Sequence, residues 1–236
     1  MPQPLSNYKL DLEGPGATVV GSTGMSVNQM VSGLKIKFAI CNAGDYPLES
    51  RPELLAGAMR VISAWSVLES HLHKVFVALL KGEPAQGVAM FLTLESANAQ
   101  RSVLMAAAQS ALPSEDVELL QAILDIYKKK ATMRNRIAHH LWGYTDLIED
   151  GVLLMDPRDY LVWQSESGGK LPADEIFVYK KNDFHDMVAA IERLSAIFHD
   201  FYFMIGPHIH RHDDLYKNLS SLPEIVPILN RLRKGH

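Results

Sequence analysis

Apolar residues three and four apart, sustained from Pro52 to Leu141 with few interruptions, commit most of this chain to long packed helices. Between Pro52 and Lys81 the stripe is Ala58, Ile62, Trp65, Leu72, Phe76 and Leu79, and Gly82 and Pro84 close it. A second helix is expected from Gln86 to Ala111, rich in alanine and stopped by Leu112-Pro113-Ser114. Ser114 can cap a third, because Glu115 and Asp116 then fall in the first turn, where the helix dipole favours carboxylates. That third stripe is Val117, Leu120, Leu124, Tyr127, Ala131, Ala138 and Leu141, ended by Gly143. A fourth follows a cap at Asn182 or Asp183, with Met187, Ile191, Leu194, Phe198, Phe201 and Ile205 on its face and Gly206-Pro207 at its end. Short connections favour antiparallel neighbours, so the expected fold class is mainly α, a four-helix bundle.

The helical pattern gives way in two places. Leu34 to Ile40 reads as a short half-buried strand inside an otherwise poorly defined extension, residues 1–48. After Tyr144, the runs Val152-Leu153-Leu154-Met155 and Tyr160-Leu161-Val162-Trp163 flank Asp156-Pro157-Arg158-Asp159, which reads as a hairpin with proline in its turn. Glu175 to Tyr179 offers a further strand. Together they form a small antiparallel β insert, about 144–181, before the last helix of a helical domain spanning 51–206, and residues 207–236 follow as a C-terminal tail with a helical fragment.

Composition then removes function classes. With 23 Lys+Arg against 27 Asp+Glu, a net charge of -4, the chain is no bulk polycation, so any nucleic-acid contact must come from a local patch. A single cysteine, Cys41, excludes an internal disulfide and a cysteine-rich zinc site and suggests a reducing compartment. No apolar run approaches the roughly 20 residues that span a bilayer, and the expectation is a cytoplasmic protein without membrane partners. There is no Gly-x-Ser-x-Gly elbow and no glycine-rich phosphate loop.

Polar residues on an apolar stripe are the informative exceptions. Glu69 lies four residues after Trp65 and three before Leu72; Arg134 lies three after Ala131 and four before Ala138. A Glu69–Arg134 pair across the bundle would satisfy both charges, whether its purpose is structural or functional. The surroundings of Arg134 favour function. Arg134-Asn135-Arg136-Ile137-Ala138-His139-His140, followed by Trp142, gathers two guanidinium groups, an amide and two imidazoles in under two turns. Guanidinium holds phosphate and offsets charge developing on it, while imidazole carries protons near neutrality. Asn135 and His139 share a helix face, whereas Arg134 and His139 lie about 140° apart on an ideal helix. Either the helix distorts or a second copy of the motif completes the site.

Arg-Asn-x-x-x-His late in a third helix, with Glu69 on the first, resembles the signature of the HEPN superfamily, over Pro52 to Gly143 and the helix at 183–205. The resemblance implies a HEPN-like four-helix bundle and a metal-independent endoribonuclease that needs no cofactor and works as a homodimer. Carried over, Arg134 would stabilise the scissile phosphate, Asn135 would position it or the histidine, and His139 would transfer protons. The ribose 2′-hydroxyl would attack, leaving a cyclic phosphate. His140 is the alternative motif histidine and Arg136 a secondary candidate. Where members restrained by a partner nucleotidyltransferase carry a tyrosine, this chain has Leu141, or Trp142 counting from His140, and its nearest tyrosine is Tyr144. A toxin, stress-response or phage-defence role would call for a cognate antitoxin or other regulatory protein. The rival reading is a non-catalytic HEPN-like module that binds RNA, nucleotide or a partner protein.

Lys128-Lys129-Lys130 would guide RNA or be a solvated helix end, and Trp142 would stack on a base or plug the core. His208, His210 and His212, followed by Asp213 and Asp214, alternate as metal ligands on a strand would, although the expectation is a polar segment without metal.

Overall fold

A computed structural model describes residues 1–8, 49, 51–145, 147–165, 173–206 and 212–234, together with the backbone of 27–31 and 34–40. Its strands are β1 (Gln3–Pro4), β2 (Val27–Val31), β3 (Leu34–Ile40), β4 (Leu141–Thr145), β5 (Gly151–Met155) and β6 (Ile176–Lys180). Its helices are α1 (Pro52–Leu80), α2 (Pro84–Leu92), α3 (Ala97–Ala111), α4 (Ser114–His139), α5 (Pro157–Ser165), α6 (Lys181–Met204), α7 (Asp213–Ser220) and α8 (Val226–Lys234). The chain is therefore mainly helical with an antiparallel sheet, and no single helix among the described residues is long and apolar enough to cross a membrane. It divides into two compact units: Met1–Ile62 with Met133–Val188, and Ser63–Thr132 with Ala189–His236.

In the first unit the sheet order is β1-β6-β5-β4-β3-β2, every neighbouring pair antiparallel. Its register sorts the side chains into two faces. Leu153 pairs with Val178, and Met155 pairs with both Ile176 and Leu141, so these five share one face. That face packs with Leu5, Ile148 and Tyr160 into a buried cluster. The opposite face carries Trp142 and Phe177, both paired with Leu154, and Tyr179, paired with Val152. There Phe184, in the first turn of α6, meets the rings of Trp142 and Tyr179. A strand covered on both faces reads as an unbroken apolar run, and all five residues of β5 are buried.

Three expectations change here. Residues 160–163 are helix, not strand: Asp156 Oδ1 accepts the backbone N–H of Arg158 at 2.8 Å, and the Asp156 carbonyl accepts from Tyr160 at 3.1 Å. Asp-Pro is thus a helix start with proline in the first turn, where its missing N–H costs nothing, and not a hairpin turn. Leu141 and Gly143 lie in β4 and do not extend the third helix, since Trp142, Tyr144 and Thr145 favour a pleated surface and find partners on β5 and β3. The strands of 141–180 are also not a closed insert, because β1 and β3 join the same sheet. The helix after β6 starts at Lys181, so Asp183 caps from inside, its Oδ2 accepting the backbone N–H of Lys180 at 3.0 Å.

In the second unit the described elements are all helical. Trp65, Leu68, Leu72, Phe76 and Leu79 of α1 are buried, as are Phe91, Leu104, Leu120, Leu194, Phe198, Phe201 and Leu229. The expected helix from 86 to 111 is two helices. Ser96 Oγ accepts the backbone N–H of Ala99 at 3.1 Å, a cap that starts α3 afresh after Thr93–Glu95. Asp125 of α4 holds Arg101 of α3 and Arg231 of α8, each at 2.8 Å.

Candidate functional site

The chemistry-bearing segment occupies the last turns of α4, where Arg136 brings positive charge to the end of a helix that opens on Glu115 and Asp116. At about 100° per residue, Asn135 and His139 fall on one line, and Arg136 and His140 on another about 100° away. The two lines meet different surroundings. Asn135 and His139 are exposed. Arg134 is half-buried, and its Nη1 donates to Asn135 Oδ1 at 3.1 Å, so the guanidinium leans toward the exposed line. The stripe expected to pass through Ala138 passes instead through Ile137, which is buried, while Ala138 faces solvent.

The second line is turned to the sheet. The Arg136 guanidinium lies 4.7 Å from the ring centre of Phe177. It also reaches Tyr179: burial pushes the Tyr179 hydroxyl up, and Arg136 beside it opposes that shift. His140 continues the turn through its N–H, which donates to the Arg136 carbonyl at 3.0 Å. Its Nδ1 is buried without a hydrogen-bond partner among the described residues, and desolvation lowers its pKa against the opposing pull of Asp156. Arg158, donating from side chain and backbone, holds the Asp156 carboxyl well below the usual carboxylate range. Trp142 is occupied on both counts. Its Nε1 donates to the Ile137 carbonyl at 3.2 Å, and its ring lies parallel to Phe184 at 6.5 Å.

The other sequence candidates belong to the second unit. Lys128 and Lys129 are exposed and Lys130 is half-buried. Glu69 is half-buried, not enclosed, and its Oε1 accepts the indole N–H of Trp65 at 2.7 Å. Trp65 itself is 2% exposed and packs on Tyr127 with ring centres 4.9 Å apart. Glu69→Ala is therefore expected to cost about 1–3 kcal/mol, the cost of stranding a buried donor, rather than the larger penalty of an isolated internal charge. Chemical denaturation checks this; an unchanged midpoint would show the indole bond to be worth nothing.

His208, His210 and Cys41 lie outside the described residues. His212 precedes α7 without a side-chain capping bond, and among the described residues no group of three His, Cys, Asp or Glu is placed to hold a metal. Sequence reading missed Asp156, Arg158 and Tyr179. The first two carried a signal in Asp-Pro-Arg, a helix start; Tyr179 carried none, because only the register of β6 turns it toward α4.

Comparison with known families, curated proteins and solved structures finds no match. The assignment of function therefore stands on these side chains.

Three histidines give the fold a pH dependence. Burial lowers the pKa of His71, His73 and His140, so each binds its proton less readily folded than unfolded. As pH falls through the unfolded value of about 6.5, the unfolded chain takes up more protons and stability declines; above it the contribution is fully present. The melting temperature is expected to be lower at about pH 5.5 than at about pH 7.5, with a shallower slope in His71→Gln, His73→Gln, His140→Asn triple variants. A melting temperature that rises on acidification would contradict this.

Proposed function

We propose that the protein is a metal-independent endoribonuclease of HEPN type that acts as a homodimer. The observation that carries the reading is the sorting of the polar cluster: Asn135 and His139 stand exposed with Arg134 bonded to the amide, while Arg136 and His140 are turned to the sheet. This supports His139, rather than His140, as the motif histidine. The proposal takes α1, the α2–α3 stretch, α4 and α6 as the four helices of a HEPN-like bundle, with the sheet as an addition.

In the proposed reaction Arg134 binds the scissile phosphate and Asn135 orients it. The neutral imidazole of His139 takes the proton of the ribose 2′-hydroxyl as that oxygen attacks phosphorus. The bond from phosphorus to the 5′-oxygen breaks, and the leaving oxygen receives a proton from the protonated imidazole (imidazolium) of the second protomer's motif histidine. Products are a 2′,3′-cyclic phosphate and a 5′-hydroxyl. Pairing two chains also supplies groups that a single straight helix holds about 140° apart. Lys128, Lys129 and Lys130 are taken to guide the RNA backbone. A toxin, stress or defence effector of this type would be held in check by a partner protein.

The test is incubation of the purified chain with RNA in EDTA, followed by analysis of the ends. Cyclic phosphates and 5′-hydroxyls support the reading. RNA left whole at high protein concentration rejects it, and RNA binding without cleavage would favour the non-catalytic module.

A further inference from the structure

We infer that the second unit carries a binding site for a small monocarboxylate with a short apolar tail, seated between α3 and α4. This site does not depend on the ribonuclease reading. A cavity of about 60 Å³ lies here, floored by Leu72, Leu104 and Leu124 and flanked by Tyr127, with Arg101 and Lys128 also lining it.

Arg101 gives the site its incompleteness. Its Nη2 donates to Asp125 Oδ1 at 2.8 Å, but its Nη1 is buried and meets no acceptor among the described residues. Asp125 and Gln100 nearby are already engaged. Asp125 spends its other oxygen on Arg231 at 2.8 Å, and Gln100 Nε2 donates to the Leu94 carbonyl at 3.0 Å. One carboxylate shared by two guanidinium groups neutralises one of them, and Lys128 adds a further cation at the cavity wall. A buried guanidinium nitrogen with nothing to bond is costly, and the cheapest remedy is an acceptor from outside the chain.

Water alone suits the cavity poorly. A well-held water needs two to four polar partners; those here, Asn98, Gln100, Arg101, Tyr127 and Lys128, leave Leu72, Leu104 and Leu124 of the lining unserved by water. A free phosphate would meet the same apolar floor with most of its oxygens unserved. A carboxylate with a short tail answers both ends, its oxygens to Arg101 and Lys128 and its methylenes to the leucines. The volume sets the tail. At roughly 10–15 Å³ per water the space holds four to six small atoms, which corresponds to acetate through butyrate.

The full chain is titrated at constant ionic strength with acetate, propionate, butyrate and octanoate, and with inorganic phosphate, by NMR or calorimetry. Saturable binding is expected to strengthen from acetate to butyrate and to fail for octanoate, with phosphate non-saturating. Arg101→Gln should weaken butyrate about tenfold or more, the loss of one charge-assisted bond. Ala131→Leu, which fills the cavity from α4 and leaves every charge in place, should abolish binding while the chain stays folded by circular dichroism. The inference is overturned by no saturation with any carboxylate up to about 20 mM, a range that ligands of so few atoms should reach. It is equally overturned by phosphate binding as tightly as butyrate, or by butyrate binding that Ala131→Leu leaves intact.

Discussion

His139→Ala is expected to lower RNA cleavage by about 10²–10⁴-fold, the usual worth of a positioned proton-transfer group, while leaving the melting temperature unchanged. The imidazole is exposed on the last turn of α4, so its removal opens no cavity and strands no buried partner. His140→Ala should behave the other way round. That ring is half-buried with a desolvated Nδ1, so its loss disturbs packing and pH-dependent stability more than rate. Arg134→Gln should reduce cleavage by about 10²–10³-fold, as removal of a donor to a developing oxyanion commonly does. Asn135→Ala should cost less, since the amide orients rather than carries charge. Initial rates in EDTA, beside melting curves for the same preparations, check the series. Activity retained by His139→Ala but lost by His140→Ala would reverse the assignment of the histidines; activity retained by both would remove the imidazole from the reaction.

How far the sequence discloses this molecule depends on which interactions are local. The stripes of α1, α4 and α6 are legible because one helix face repeats every three to four residues, and their observed ends fall close to the expected ones except where a strand competes. That competition hides the end of α4. Leu141 continues the helical spacing, yet pairs with Met155 across β4 and β5, a partner fourteen positions away that no local period announces. Trp163 ends a short apolar run, rich in aromatic and β-branched residues, that passes for a strand, whereas a single carboxylate at Asp156 turns the segment into α5. The cluster at 134–140 was visible as composition, but its division into an exposed line and a sheet-facing line was not. That division follows from Phe177 and Tyr179, placed beside Arg136 by the register of β6. Glu69 illustrates the same limit from the other side: its spacing puts it on the stripe but does not announce that its Oε1 accepts the indole N–H of Trp65, four residues away.

Phe184→Ala is expected to destabilise the first unit by about 3–5 kcal/mol, a large share of the 5–15 kcal/mol that holds a typical domain together. The ring is 0% exposed, lies parallel to Trp142 at 6.5 Å and tilts against Tyr179 at 5.9 Å. A Cβ placed on Gly57 of α1 would fall 2.9 Å from Phe184 Cβ and 3.1 Å from its Cγ, so the helix backbone itself closes the far side of the pocket. Truncation leaves a void that neither the sheet nor α1 can easily fill, because one wall is paired backbone and the other is helix. Gly57→Ala approaches the same packing from the opposite side and should cost about 1–3 kcal/mol by overfilling it, since the nearest atom is the root of a side chain and not its flexible end. Denaturant midpoints with unchanged slopes would report both losses. If Phe184→Ala melts within error of the parent, the ring does not hold this face of the sheet. The consequence reaches the cluster on α4: Trp142 both stacks on Phe184 and donates to the Ile137 carbonyl, so releasing the ring loosens the turn that presents His139. RNA cleavage by Phe184→Ala should accordingly fall at temperatures where its circular dichroism is still that of the folded chain.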